Sequence, residues 1–121
     1  MTEEEATALG NRLVACKGFR VMRGMLDMHG RTWDASLLWR WSNDVDVPDL
    51  RDPATLGCVL ALVREAFARP NGHLSFLGHS GSSPRGWFYC WATSDGSNGG
   101  GLHRYSPTEA EALVAALEAA P

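Results

Sequence analysis

Asp52-Pro53-Ala54-Thr55-Leu56-Gly57-Cys58-Val59-Leu60-Ala61-Leu62-Val63-Arg64-Glu65-Ala66-Phe67 is the stretch that decides the fold. Asp52 is a helix N-cap, and Pro53 falls at the first helical position, where its missing N–H is harmless. Leu56, Val59, Leu60, Leu62, Val63, Ala66 and Phe67 then cover well over half of a helix circumference. A helix this apolar is central and packs against a sheet. Pro48, just upstream, closes a polar acidic loop over Ser42–Leu50, and Pro70-Asn71-Gly72 stops the helix.

Two more helices frame the chain. Thr2 with Glu5 three residues on predicts a capping box and a helix over Glu3–Ala15, with Ala6, Leu9, Leu13 and Val14 on one face. Gly10 weakens that helix and Gly18 ends it. Near the C-terminus Ser106 reads as a cap, Pro107 as the first helical residue and Glu109 as the partner of a capping box. Ala110, Leu113, Val114 and Leu117 form the buried stripe of this last helix.

Between the helices the period changes to two. Phe19–Leu26 reads as a strand, broken at His29-Gly30. In Trp33–Trp41, Trp33, Ala35, Leu37, Trp39 and Trp41 alternate with Asp34, Ser36 and Arg40, the pattern of a half-buried strand. His73–Gly78 and Trp87–Thr93 read as two strands joined by the turn His79–Pro84. In the second, Trp87, Tyr89 and Trp91 share one face while Phe88, Cys90 and Ala92 share the other, so it belongs in the middle of the sheet. A short strand over Leu102–Tyr105 follows. The predicted order is α-β-β-α-β-β-(β)-α. That order describes a single compact α+β domain over residues 1–121, with an antiparallel sheet of four to five strands packed against two to three helices.

Composition narrows the function. The 121 residues carry a net charge of −3, which argues against nonspecific nucleic-acid binding and is too weak for a mimic of DNA. Locally the charge is uneven. Lys17, Arg20, Arg23 and Arg31 stand against Asp27, while Asp34, Asp44, Asp46, Asp49 and Asp52 stand against Arg40 and Arg51. Solvated faces explain such runs, and an anion-binding patch on the first is the sharper alternative. The three cysteines, Cys16, Cys58 and Cys90, lack metal or redox spacing and fit small buried hydrophobes in a reducing cytoplasm. The N-terminus lacks the charge and apolar core of a signal peptide, and the longest apolar run is too short to span a bilayer.

Catalytic signals are weak. Gly96, Gly99, Gly100 and Gly101 invite a phosphate-cradle reading, but no Lys-Ser/Thr follows and the next element is a strand, so a hairpin loop is the simpler account. His29, His73, His79 and His103 lie in or beside turns without metal spacing, although His73, His79, Cys90 and His103 could converge across strands. Ser80, Ser82 and Ser83 are not on a nucleophile elbow, and Asp27 and Asp34 have no identifiable carboxylate partner. A non-enzymatic protein without cofactor or metal is expected. Aromatics are the positive signal. The five tryptophans fall on two strands, and most serve as core. Trp41, Trp87, Tyr89 and Trp91 are the candidates for a pocket or interface, with Arg20, Arg23, Arg85 and Arg104 at strand ends as anion ligands. Stacking plus arginine is a common way to hold nucleobases.

Three blocks carry a resemblance. They are Ala8-Leu9-Gly10 with Val14-Ala15-Cys16-Lys17-Gly18-Phe19-Arg20 and Met22-Arg23-Gly24-Met25; Pro48–Phe67; and Thr108-Glu109-Ala110-Glu111-Ala112-Leu113-Val114-Ala115-Ala116-Leu117-Glu118-Ala119-Ala120. Together they resemble a group of small phage and prophage proteins to which no activity is attached. Those relatives carry Met-Pro-Gly-Met where this chain has Met22-Arg23-Gly24-Met25, so the proline of an implied rigid turn is missing. The resemblance implies a phage accessory protein in the cytoplasm of an infected bacterium. Such proteins often blunt host immunity, by sequestering a nucleotide-type signal or by blocking a defence protein. A concave pocket marks the first and an exposed contiguous apolar patch the second. The alternatives are a morphogenesis accessory or a minor enzyme. Homo-oligomerisation is compatible with either binding mode, and no membrane contact is expected.

Overall fold

A computed structural model describes residues 1–32, 47–78, 86–94 and 100–121, with Leu102 and His103 described in backbone only. Its elements are α1 (Glu3–Val14), α2 (Pro53–Ala66), β1 (His73–Leu77), β2 (Gly86–Trp91), β3 (Gly100–Ser106) and α3 (Glu109–Ala119). The three strands are antiparallel in the order β1-β2-β3, so the architecture is α+β and β2 lies between its neighbours, as its two apolar faces require. The expected strand over 33–41 lies outside the described residues.

The first two helices begin where the local chemistry places them. Thr2 accepts from the Glu5 amide at 3.1 Å while the Glu5 carboxylate accepts from the Thr2 amide, completing the capping box of α1. Asp52 accepts from the Thr55 amide at 2.9 Å and Pro53 opens α2. The third start differs from expectation. Ser106 is the last residue of β3, paired opposite Trp87, and the cap is Thr108, which accepts from the Glu111 amide at 3.1 Å. Strand pairing claims Ser106 first, and the Thr108–Glu111 spacing supplies an equivalent cap two residues later.

α3, rather than α2, is the central helix. It packs against all three strands and against both other helices. Seven of its eleven residues are buried, compared with four in α2. Ala110, Ala112, Ala115 and Ala116 make α3 thin, and thin helices let their neighbours approach closely. Leu9 and Leu13 of α1, Val59, Leu62 and Val63 of α2, Leu113, Val114 and Leu117 of α3, and Tyr89 of β2 form one continuous core.

Phe19–Leu26 is not a strand. The Met25 amide donates to the Met22 carbonyl at 3.2 Å, and Gly24 adopts φ 101°, so the segment turns where extension was expected. That turn falls on Met22–Met25 and needs no proline. Among the described residues two isolated bridges form beyond it, Leu26 with Thr32 and Asp27 with Pro48. The break at His29-Gly30 is a tight turn organised by Asp27, which is fully buried. One carboxylate oxygen accepts from the amides of His29 and Arg31 at 2.8 and 2.9 Å, and the other accepts from Arg31 Nε at 3.0 Å. The Leu26 amide donates to Thr55 Oγ1 at 2.9 Å, and Thr55 Oγ1 donates to Asp52 at 3.0 Å. The cap of α2 therefore also anchors this loop.

Candidate functional site

Pairing register places the aromatics. Opposite Trp87, Tyr89 and Cys90 on β2 stand Phe76, Leu74 and His73 on β1. One face of the sheet therefore carries Leu74, Phe76, Trp87, Tyr89 and Trp91, and the other carries His73, Ser75, Phe88 and Cys90.

On the first face the three expected aromatics meet different fates. Tyr89 is 1% exposed and belongs to the core, so it reaches no ligand. Its ring lies 5.5 Å from Phe67, the residue that caps the end of α2. The Tyr89 hydroxyl is pressed against Gly72, where a Cβ would stand 1.7 Å from it, and has no hydrogen-bond partner among the described residues. Burial pushes the Tyr89 phenol above its ordinary pKa, and the charges of Arg64 and Arg69 pull it partly back.

Trp91 is half-buried. Phe67 lies 5.5 Å from its ring and Tyr89 5.9 Å, and the Arg69 guanidinium carbon sits over it at 5.1 Å from the centroid. Trp87, at the opposite end of the row, is half-buried and packs its ring 5.2 Å from Phe76. Phe76 is 57% exposed on this face, and its neighbour Leu77, 37% exposed, points to the opposite face at the tip of β1.

Arg20, Arg23 and Arg104 have other surroundings. Arg20 pairs with Glu65 of α2. Arg23 is exposed in the turn after α1, and its carbonyl accepts from the Cys58 thiol. Arg104 is exposed on β3, where its charge reaches Glu118 of α3. Trp41 and Arg85 lie outside the described residues. Two of the four basic residues in the run after α1 are paired, Arg31 with Asp27 and Arg20 with Glu65. A cleft of 420 Å³ between the ends of α1 and α3 is lined by Arg12, Cys16, Lys17, Leu117 and Glu118 among others, and contains none of the expected site residues.

On the second face Cys90 is fully buried, with Sγ 3.5 Å from both His73 Nε2 and Ser75 Oγ. His73 Nδ1 lies 3.1 Å from the Asn71 carbonyl, which fixes the proton on Nδ1 and leaves Nε2 to accept from the thiol. The structure thus unites two of the four residues expected to converge. His79 lies outside the described residues, as does the side chain of His103. Among the described residues no group of three metal-binding side chains forms. Burial raises the thiol pKa of Cys16 and of Cys58, so both stay protonated at neutral pH.

Sequence reasoning missed Phe76, Arg64 and Arg69. The alternation of Leu74 and Phe76 assigns their face but not their depth. Arg69 sits in the turn after α2, and nothing in its neighbourhood announces Trp91 as its partner. The class defined by fold and site is a small α+β domain with an aromatic row that is core at its centre and surface at one end. No family model, curated protein or solved structure matches the chain. Among the described residues no helix is long and apolar enough to cross a membrane.

Proposed function

We propose that the protein is a non-enzymatic phage accessory factor that blocks a host defence protein by docking on it through Phe76 and Trp87. The observation that carries this reading is the exposed Phe76 ring packed at a tilt against Trp87 on one face of the sheet. Large aromatic side chains held by neighbours and facing water are the usual anchors of protein interfaces, because their contact area comes at little cost in side-chain freedom. The pairing of β1 with β2 holds the Phe76 backbone in place, so the anchor is ordered before the partner arrives. The described clefts contain none of the expected aromatics, which favours a flat protein surface over an enclosed ligand as the main target. The phage context comes from the sequence resemblance.

The test is phage plating on bacterial strains that each carry one defence system, with and without the protein, followed by co-purification of the target. Phe76→Asp is expected to abolish protection and to weaken target binding by about thirtyfold or more, the weight of an interface hot spot, with an unchanged melting temperature. Protection in none of the strains, or full protection by the Phe76→Asp variant, overturns the reading.

A further inference from the structure

The corner between α2 and β1 holds a second cluster that the docking surface does not use. α2 ends at Ala66, and Ala68 adopts φ 53°, a left-handed conformation that glycine usually fills. The Arg69 amide then bonds back to the Arg64 carbonyl at 2.9 Å, and the Gly72 amide to the Arg69 carbonyl at 3.0 Å. This turn lays the Arg69 guanidinium over Trp91. Arg64 Nε donates to the Gly72 carbonyl at 2.6 Å, which fixes a second guanidinium at the same corner. A cleft of 390 Å³ opens here, lined by Ala61, Arg64, Glu65, Ala68, Arg69 and Pro70.

The charges are unbalanced in a specific way. Glu65, the carboxylate in the cleft wall, is already paired with Arg20. Among the described residues neither Arg64 nor Arg69 has a carboxylate partner. Both charges reach the buried Tyr89 hydroxyl, which itself lacks a hydrogen-bond partner among the described residues. Two guanidinium groups therefore face one small cleft with donors to spare. A guanidinium placed over a tryptophan ring keeps its outer side free for a second planar ring and its edge free for an anion. The cleft falls in the size range of small-molecule sites.

We propose that this cleft binds a mononucleotide-type ligand, with its phosphate taken by Arg64 and Arg69 and its base stacked on the outer face of the Arg69 guanidinium against Trp91. The arginines also offset the negative end of the α2 dipole, which would otherwise repel the phosphate. Along β2 the site lies four residues from Trp87, about 13 Å at strand rise, so it is separate from the docking surface.

The experiment is an NMR titration of the isotopically labelled protein with adenosine 5′-monophosphate, guanosine 5′-monophosphate and inorganic phosphate, read at Arg69 Nε and the Trp91 indole N–H. At least one nucleotide is expected to shift both signals saturably, and phosphate alone to bind about tenfold more weakly or worse, because it lacks the ring. Arg69→Ala should weaken nucleotide binding about tenfold or more with an unchanged melting temperature, and Arg69→Lys should recover only part of it. Phe76→Asp should leave nucleotide binding intact, which separates this site from the proposed docking function. The proposal is overturned by the absence of a saturable shift up to about 10 mM nucleotide, by phosphate binding as tightly as nucleotide, or by wild-type binding in Arg69→Ala. A polyglutamate peptide that shifts the same signals while the nucleotides do not overturns it in favour of an acidic protein segment.

Discussion

Trp87 and Tyr89 stand two residues apart on the same face of the same strand, yet one reaches the surface and the other is core. Their strand partners on β1 are Phe76 and Leu74, both apolar. What differs is the second layer. Tyr89 belongs to the cluster that includes Leu113, Val114 and Leu117 of α3, and Phe67 packs on its ring. Trp87 lies opposite Ser106, where β3 ends and the chain turns towards α3, and its ring neighbour Phe76 faces water. Alternation along a strand assigns side chains to a face, and the extent of the covering layer decides their depth.

The largest expected effect separates the two ends directly. Tyr89→Ala empties the centre of the core and should cost about 3–5 kcal/mol of stability. Trp87→Ala removes a half-buried ring and should cost about half as much or less. Urea unfolding of both variants reads the difference. Equal losses would mean that the Trp87 end is core as well, and the docking role of Phe76 would lose its basis.

The same distinction sets what could be read from sequence. The start of α2 was legible because Asp52-Pro53 acts locally, through one side-chain cap and one fixed φ. The start of α3 was displaced by two residues because Ser106 is committed to a long-range pairing with Trp87, which no local pattern announces. Phe19–Leu26 carries enough apolar residues to suggest a strand, but a turn over Met22–Met25, with Gly24 at φ 101°, defeats it. The aromatic row was visible as a row. Its division into core and surface was not, since that depends on where α3 and Phe67 lie. Arg69 on Trp91 joins residues 22 apart through a turn whose geometry rests on Ala68, a residue with no turn signature.

A smaller effect tests the packing of the core end. The Tyr89 hydroxyl is buried without a hydrogen-bond partner among the described residues, a cost that its removal relieves. Tyr89→Phe should therefore be neutral or stabilising, by up to about 1 kcal/mol, where removal of a bonded tyrosine hydroxyl destabilises. Thermal melting of the purified variant checks the sign. A loss of about 1 kcal/mol would show that the hydroxyl is bonded in solution, and Tyr89 would then join the core by a polar contact as well as by packing.

The smallest effect concerns the rim of the covering layer. Arg12 of α1 grips Glu118 of α3 through two hydrogen bonds, at 2.6 and 3.1 Å. The Arg12 hydrogen bonds hold the Glu118 carboxyl below its ordinary pKa against the opposing pull of burial. A lowered folded-state pKa contributes stability above the unfolded value, and that stability is lost as pH falls through the folded value. Acidification from about pH 6 to about pH 3 should therefore destabilise the wild type slightly more than Glu118→Gln. The difference should stay under about 0.5 kcal/mol and vanish in molar salt, because both side chains are more than a third exposed. A difference of several times that size would mean that the ion pair, rather than the buried alanine and leucine face of α3, holds α1 against the central helix. The depth of Tyr89 would then depend on pH. The buried face alone predicts that acid loosens the rim of the helical layer while Tyr89 stays covered.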